Sequence, residues 1–202
     1  MFALANYLRR RGHSTDSFGY VCAVESFSSI RDRLQARVRM MATQGPHYAL
    51  CGHSLGGLLA LLACADCDDS TMAPSALITL GTPLQPARLA RRFVRSRWYR
   101  VASGSGGQLL ADSGFFESLP TPPVPWLRIV GTGGPTGRLS PFGRETNDGV
   151  VAHVEAGREG APPGVLVDAV HTFLMNSSAA RAAIEEFLRR IPSDSPGQRC
   201  SN

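Results

Sequence analysis

Short apolar runs that alternate with helix-patterned stretches constrain this chain more than any other feature. Runs at 48–51, 76–80, 126–130 and 165–167 are three to five residues long and bounded by Gly, Pro, Ser or Asp. That length and bounding read as buried strands. From 26 to 41 the apolar residues Phe27, Ile30, Leu34, Val38 and Met41 recur in steps of three and four, which is one helix face. Further helices are expected through 58–63, 87–98 and 179–190. Residues 2–11 read as a helix stopped at Gly12, and Gly45-Pro46 breaks the one after it. Residues 14–22, around Phe18-Gly19-Tyr20-Val21, read as one more strand. The stretch 101–125 is Ser-, Gly- and Pro-rich with apolar anchors Leu109, Leu110, Phe115, Phe116 and Leu119. The expected class is α/β, a mostly parallel sheet with helices on both faces.

The length of 202 residues suits one domain, expected over 1–191, with 192–202 a flexible tail. No run of 18 apolar residues occurs. The net charge is +5, and all 21 basic residues are Arg. Six of them lie at 88, 91, 92, 95, 97 and 100. Such a cluster suits phosphate, nucleic acid or an anionic lipid surface, but basic runs usually form a solvated face. No aromatic-interleaved box accompanies it, so no nucleic-acid partner is expected, and membrane-surface contact is not indicated. Five Cys (22, 51, 64, 67, 200) lack disulfide-scaffold spacing. Cys64-Ala-Asp-Cys67 has no second pair for zinc and no redox context, and is read as structural. The N-terminal charges follow a short apolar stretch, unlike a secretory signal. A reducing, cytoplasmic setting is the expectation. Gly131-Thr132-Gly133-Gly134-Pro135 matches neither nucleotide fingerprint. No metal and no cofactor are expected.

Gly52-His53-Ser54-Leu55-Gly56 fits G-x-S-x-G between an apolar run and a Leu-rich helix pattern. That context demands a very sharp strand-to-helix turn, which exposes the serine hydroxyl above the sheet. Gly52 and Gly56 allow close backbone approach. The N–H of Leu55, at the helix start, faces developing negative charge. Ser54 is therefore the candidate nucleophile. His53 lies inside the elbow and is expected to shape the pocket rather than take the proton.

A serine nucleophile needs a base, and the base needs an orienting acid. Of the five His, His171 follows the last expected strand and precedes the last helix, which matches the order serine, acid, histidine. His153 is the runner-up; His13 and His47 sit at other turns. Asp148, in Glu145-Thr146-Asn147-Asp148-Gly149, follows the 126–130 strand and is the expected acid. Asp168 is the alternative, three residues from His171. Thr146 and Asn147 are available to hold the carboxylate.

The chain resembles the α/β-hydrolase superfamily, in particular small bacterial lipase- or esterase-like members. The resemblance rests on Gly52 to Gly57, Leu80-Gly81-Thr82-Pro83, Asn147 to Val151 and His171-Thr172-Phe173, in that order. It runs from residue 1 to about residue 190. It implies Ser54, Asp148 and His171 as a triad, and residues 84–125 as a modest cap. The implied activity is hydrolysis of a small-molecule or lipid carboxylic ester through an acyl-enzyme. An acyltransferase, thioesterase or amidase on the same fold, or a non-catalytic relative, stays open, as does the oligomeric state. The apolar residues 109–119 and Trp126 read either as an acyl pocket or as core.

One departure stands out. In the family a strand ending in His-Gly precedes the first helix, and its loop gives the second oxyanion N–H. No such stretch precedes residues 2–11 here. The expectation is an N-terminally truncated fold whose sheet must close a gap of about two strand spacings, roughly 10 Å. Loss of one oxyanion donor reduces turnover by about 10²- to 10³-fold.

Overall fold

The computed structural model describes residues 1–44, 47–67 and 73–192. The expected break at Gly45-Pro46, the tail from 193 on and Cys200 lie outside the described residues. In chain order the elements are α1 (Phe2–Arg10), α2 (Phe27–Gln44), β1 (Ala49–His53), α3 (Leu55–Ala65), β2 (Ala76–Leu80), α4 (Arg88–Phe93), α5 (Arg97–Leu109), α6 (Ser113–Glu117), β3 (Trp126–Gly131), β4 (Gly164–Val167), a 3-10 helix (His171–Asn176) and α7 (Ser178–Arg190).

The four strands form one parallel sheet in the order β1-β2-β3-β4. Alternate residues feed two separate cores, because successive side chains of a strand point to opposite faces. Leu50, Leu77 and Trp126 face α2 and α3, meeting Ile30, Leu34, Val38, Leu58 and Leu61. Ile78, Leu80, Ile129 and Val167 face the other side, meeting Leu4, Leu8, Leu174 and Ile184 of α1, the 3-10 helix and α7. Helices thus cover both faces. Leu58, Leu59, Leu61, Leu62 and Cys64 bury α3 nearly all round, which is why its sequence carries no polar stripe.

Local signals in the sequence account for several helix ends. α1 stops where Gly12 takes φ 90°. The Gly12 N–H then bonds the Arg9 carbonyl at 3.0 Å and the His13 N–H bonds that of Leu8 at 3.1 Å, the Schellman arrangement. Arg9 and Arg10 fill the last turn of α1, where cations favour the helix dipole. Asp112 caps α6 through the Gly114 N–H at 2.9 Å.

Two expectations need correction. Residues 14–22 form no strand. Phe18, Tyr20 and Cys22 do pack on the α2/α3 core at alternate positions, as the pattern implied. A strand also needs a backbone partner, however, and among the described residues β1 pairs with β2 alone. The sheet does not close across the gap. The segment is tied instead to α2, by Arg33 to the Gly19 carbonyl and Arg37 to Asp16. The second correction concerns 87–125. The single helix expected at 87–98 is two, α4 and α5, and α5 runs on to Leu109 with a break at Gly104 (φ 56°). Gly104 lies against the Cys22 carbonyl, and Gly106 against the Leu55 side chain, so this part of α5 lies along the 14–24 segment and the start of α3. Phe116 and Leu119 enter the α2/α3 core, and Phe115 meets Phe27 edge to face.

The Arg cluster divides in two. Arg88 is pinned by Glu145 (2.8 Å) and approaches Glu155 (3.7 Å), whereas Arg91, Arg92, Arg95 and Arg97 are exposed. Cys22, Cys51 and Cys64 are free thiols. The Cys67 thiol points back to the Ala63 carbonyl at 3.3 Å, and burial pushes that of Cys64 up to about 12. Among the described residues no helix is long and apolar enough to cross a membrane.

α3 approaches β1 so closely that a Cβ on Gly52 would lie 2.2 Å from the Gly56 carbonyl oxygen and 2.6 Å from the Gly57 Cα. Both obstacles are backbone. Gly52→Ala is therefore expected to lower stability by about 1–3 kcal/mol or more. Gly19→Ala, where nothing lies within 4 Å, should stay within about 0.5 kcal/mol. Leu58→Ala, fully buried, should lose about 2–5 kcal/mol. Urea unfolding followed by circular dichroism measures all three.

Candidate active site

The carboxyl ends of the strands lie side by side, with His53 opposite Leu80 and Gly131 opposite Val167. In an open parallel sheet that edge is where loops can converge on one site. Ser54 follows β1 with φ 53° and ψ −123°. Among the described residues it is the one non-glycine residue at positive φ. Two backbone bonds hold that conformation. The Ser54 N–H donates to the Leu80 carbonyl at 2.9 Å, and its carbonyl accepts from the Gly57 N–H at 2.9 Å. α3 starts at the next residue, so the N–H of Leu55 is the first of the helix and has no intrahelical acceptor.

Asp148 lies in the loop after β3 and is 2% exposed. One carboxylate oxygen, Oδ1, accepts the backbone N–H groups of Val150 (2.9 Å) and Val151 (2.7 Å). The other, Oδ2, accepts the Nδ1–H of His171 at 2.6 Å. The His171 backbone N–H also donates to the Asp148 carbonyl at 2.8 Å. Asp148 thus grips His171 by ring and backbone, and the ring is left with Nε2 as its acceptor. His171 opens the 3-10 helix and is 7% exposed.

Thr146 and Asn147 do not hold the carboxylate. Thr146 is exposed. Asn147 is fully buried and ties the loop instead, accepting from the Gly149 N–H and donating to the carbonyls of Pro135 and Glu145. Besides His171, the carboxylate's donors are backbone groups, invisible in the residue types. Asp168, His13, His47 and His153 are exposed.

Space for the histidine comes from Gly81, just past β2 with φ 53°, where a Cβ would sit 3.0 Å from His171 Nδ1 and 2.8 Å from Leu174. His53 joins the group from β1. Its ring packs on that of His171 with centroids 4.5 Å apart, and its Nε2–H donates to the His171 carbonyl at 3.0 Å. Burial, and then the neighbouring His171, push the His53 pKa down to about 4, so its ring is neutral near pH 7. This bond was not anticipated; a G-H-S-x-G string shows the residue but not its reach to a loop 118 positions away. On the other side of the elbow, Tyr20 Oη stands 3.3 Å from where a Cβ on Gly56 would be. Burial pushes that hydroxyl up to about 12.

Ser54, its neighbour His53, His171 and Asp148 are thus gathered at one end of the sheet. A serine in a strained turn, an imidazole and a buried carboxylate are the residue types that nucleophilic acyl chemistry uses. Among the described residues no group of three or more His, Cys, Asp or Glu side chains is arranged to hold a metal ion.

Comparison with solved structures finds the same architecture at low identity. A lipase from Bacillus licheniformis (BlEst2, mature form) superposes with TM-score 0.58 at 19% identity, covering 81% of this chain and 75% of that one. An extracellular alpha/beta-hydrolase from a Paenibacillus species gives TM-score 0.55 at 14% identity, covering 96% and 93%. At these identities the likeness is one of fold. No curated protein sequence matches the chain. The model of the alpha/beta hydrolase family matches residues 4–196, nearly the whole length. With that match added to the parallel sheet and the strained turn after β1, the chain belongs to the alpha/beta hydrolase family.

Proposed function

We propose that this protein is a serine hydrolase of carboxylic esters, with Ser54 as nucleophile, His171 as general base and Asp148 as the acid that orients it. The observation that carries this reading is the 2.6 Å bond from His171 Nδ1–H to Asp148 Oδ2, made at the same sheet edge as a serine held at φ 53°. Asp148 fixes the tautomer that leaves His171 Nε2 bare to accept the Ser54 proton. Its buried charge also favours the imidazolium that forms. The Ser54 oxygen then attacks the ester carbonyl, and the Leu55 N–H at the start of α3 stabilises the resulting oxyanion. The alkoxide leaves with the proton from His171. Water, deprotonated by the same Nε2, attacks the acyl-enzyme and frees Ser54.

Residues 84–125 are read as the cover of this site, because α5 reaches Leu55 at Gly106. The resemblance to lipase- and esterase-like proteins, with a lipase among the solved structures of like fold, supports a small or lipid ester as substrate. Acyl transfer to another acceptor would use the same three residues.

A fluorophosphonate probe on the purified, folded chain tests the reading. Labelling should be stoichiometric and vanish in Ser54→Ala and His171→Ala. Asp148→Asn should slow it by about 10³- to 10⁴-fold, through loss of the working tautomer. A folded chain that takes no label would overturn the proposal. Turnover of p-nitrophenyl esters beside thioesters and added alcohols then separates hydrolysis from transfer.

A further inference from the structure

We propose that His53 is a positioning residue that holds the main chain at His171, so that one dipeptide, His53-Ser54, sets both the nucleophile and the seat of its base. The inference rests on reading His171 as that base.

The His171 main chain has two anchors. Its N–H is fixed to the Asp148 carbonyl at 2.8 Å, and its carbonyl accepts from His53 Nε2–H at 3.0 Å. The two come from different strands' ends, the loop after β3 and the end of β1. Removing the second would leave the 3-10 helix start tied to one side of the site only. The ring contact at 4.5 Å adds a lateral stop against the imidazole. β1 is in the sheet and pairs residue by residue with β2 up to His53–Leu80, so the anchor is rigid. Ser54 is the next residue along. A shift of β1 therefore carries nucleophile and base together, and their spacing is insulated from movements of the loop that bears His171. Rigid support of this kind matters because misplacement by about 1 Å can slow chemistry by about 100-fold.

The same geometry excludes His53 Nε2 as a second base and leaves Nδ1 as the ring's acceptor. Its Nε2–H is committed to a carbonyl, which only a donor can satisfy. The charged and titratable groups around it are His171, Asp148 and the Met1 α-amino group; burial, then His171 and the α-amino group, outweigh the bond to the His171 carbonyl and the Asp148 charge, and the ring stays neutral down to a pKa of about 4. Protonation below that range would place a second positive charge beside His171 whenever the base is itself protonated.

Three substitutions in the full chain test the proposal. His53→Gln keeps an N–H donor near the Nε2 position. His53→Asn has a donor too short to reach, and His53→Phe keeps the ring without the donor. Readouts are kcat and KM on a p-nitrophenyl ester, and the downfield proton resonance of His171 Nδ1–H. With positioning, Asn and Phe lower kcat by about 10- to 100-fold, leave KM within about twofold and broaden or shift the resonance; Gln restores most of both. If Asn and Gln are both as active as wild type with the resonance unmoved, the proposal falls. The resonance decides independently of turnover: in a chain that is folded but inactive, its loss in Asn and return in Gln support the anchor, and its indifference overturns it. A pH series on stability adds a check. The native imidazole stays neutral while the unfolded one protonates near 6.5, so wild-type stability falls as pH drops from about 6.5 toward 4. His53→Gln should flatten that slope.

Discussion

Everything at the functional end of this protein hangs on the collision distance between β1 and α3. The chain leaves the sheet at His53 and is helical by Leu55, and it does so because no side chain stands at Gly52, where the Gly56 carbonyl already occupies the place of a Cβ. So abrupt a reversal leaves the intervening residue no ordinary backbone conformation. Ser54 takes φ 53° as a result, with its N–H and carbonyl both used to lock the turn. The first N–H of α3 is then delivered beside that serine by the geometry of the helix itself.

The rest of the site is assembled by loops that end at the same level of the sheet. Parallel pairing puts all four strand ends on one edge, and the loops after β3 and β4 bring Asp148 and His171 there. The buried carboxylate is tolerable because both of its oxygens are satisfied, by Val150 and Val151 on one and His171 on the other. The turn that supplies those amides exists because Gly149 adopts φ 95° directly after the aspartate.

The sequence made the strand-turn-helix signals and the chemistry-bearing residues readable, because each is local. Apolar runs gave β1 to β4, the 3.6-residue spacing gave α2 and Gly12 gave the end of α1; the elbow motif named Ser54 and chain order named Asp148 and His171, which the structure brings into hydrogen-bond contact with each other. What it did not reveal depends on partners distant in the chain. Phe18, Tyr20 and Cys22 alternate as a strand does, yet a ladder needs a neighbour and none of the described residues provides one. The extension of α5 to Leu109 runs through Ser- and Gly-rich sequence and follows from packing on Cys22 and Leu55 rather than from propensity. The donors to Asp148 Oδ1 are main-chain groups, and the bond from His53 spans 118 residues.

The backbone of Ser54 has an energetic corollary. A non-glycine residue in so sparsely populated a conformation costs on the order of 1–3 kcal/mol, a sizeable share of the 5–15 kcal/mol that keeps a domain folded. Glycine would relieve that strain at the same position and remove the hydroxyl with it. Stability alone thus favours glycine at residue 54, and the serine is held there at a cost in folding free energy that the rest of the domain offsets.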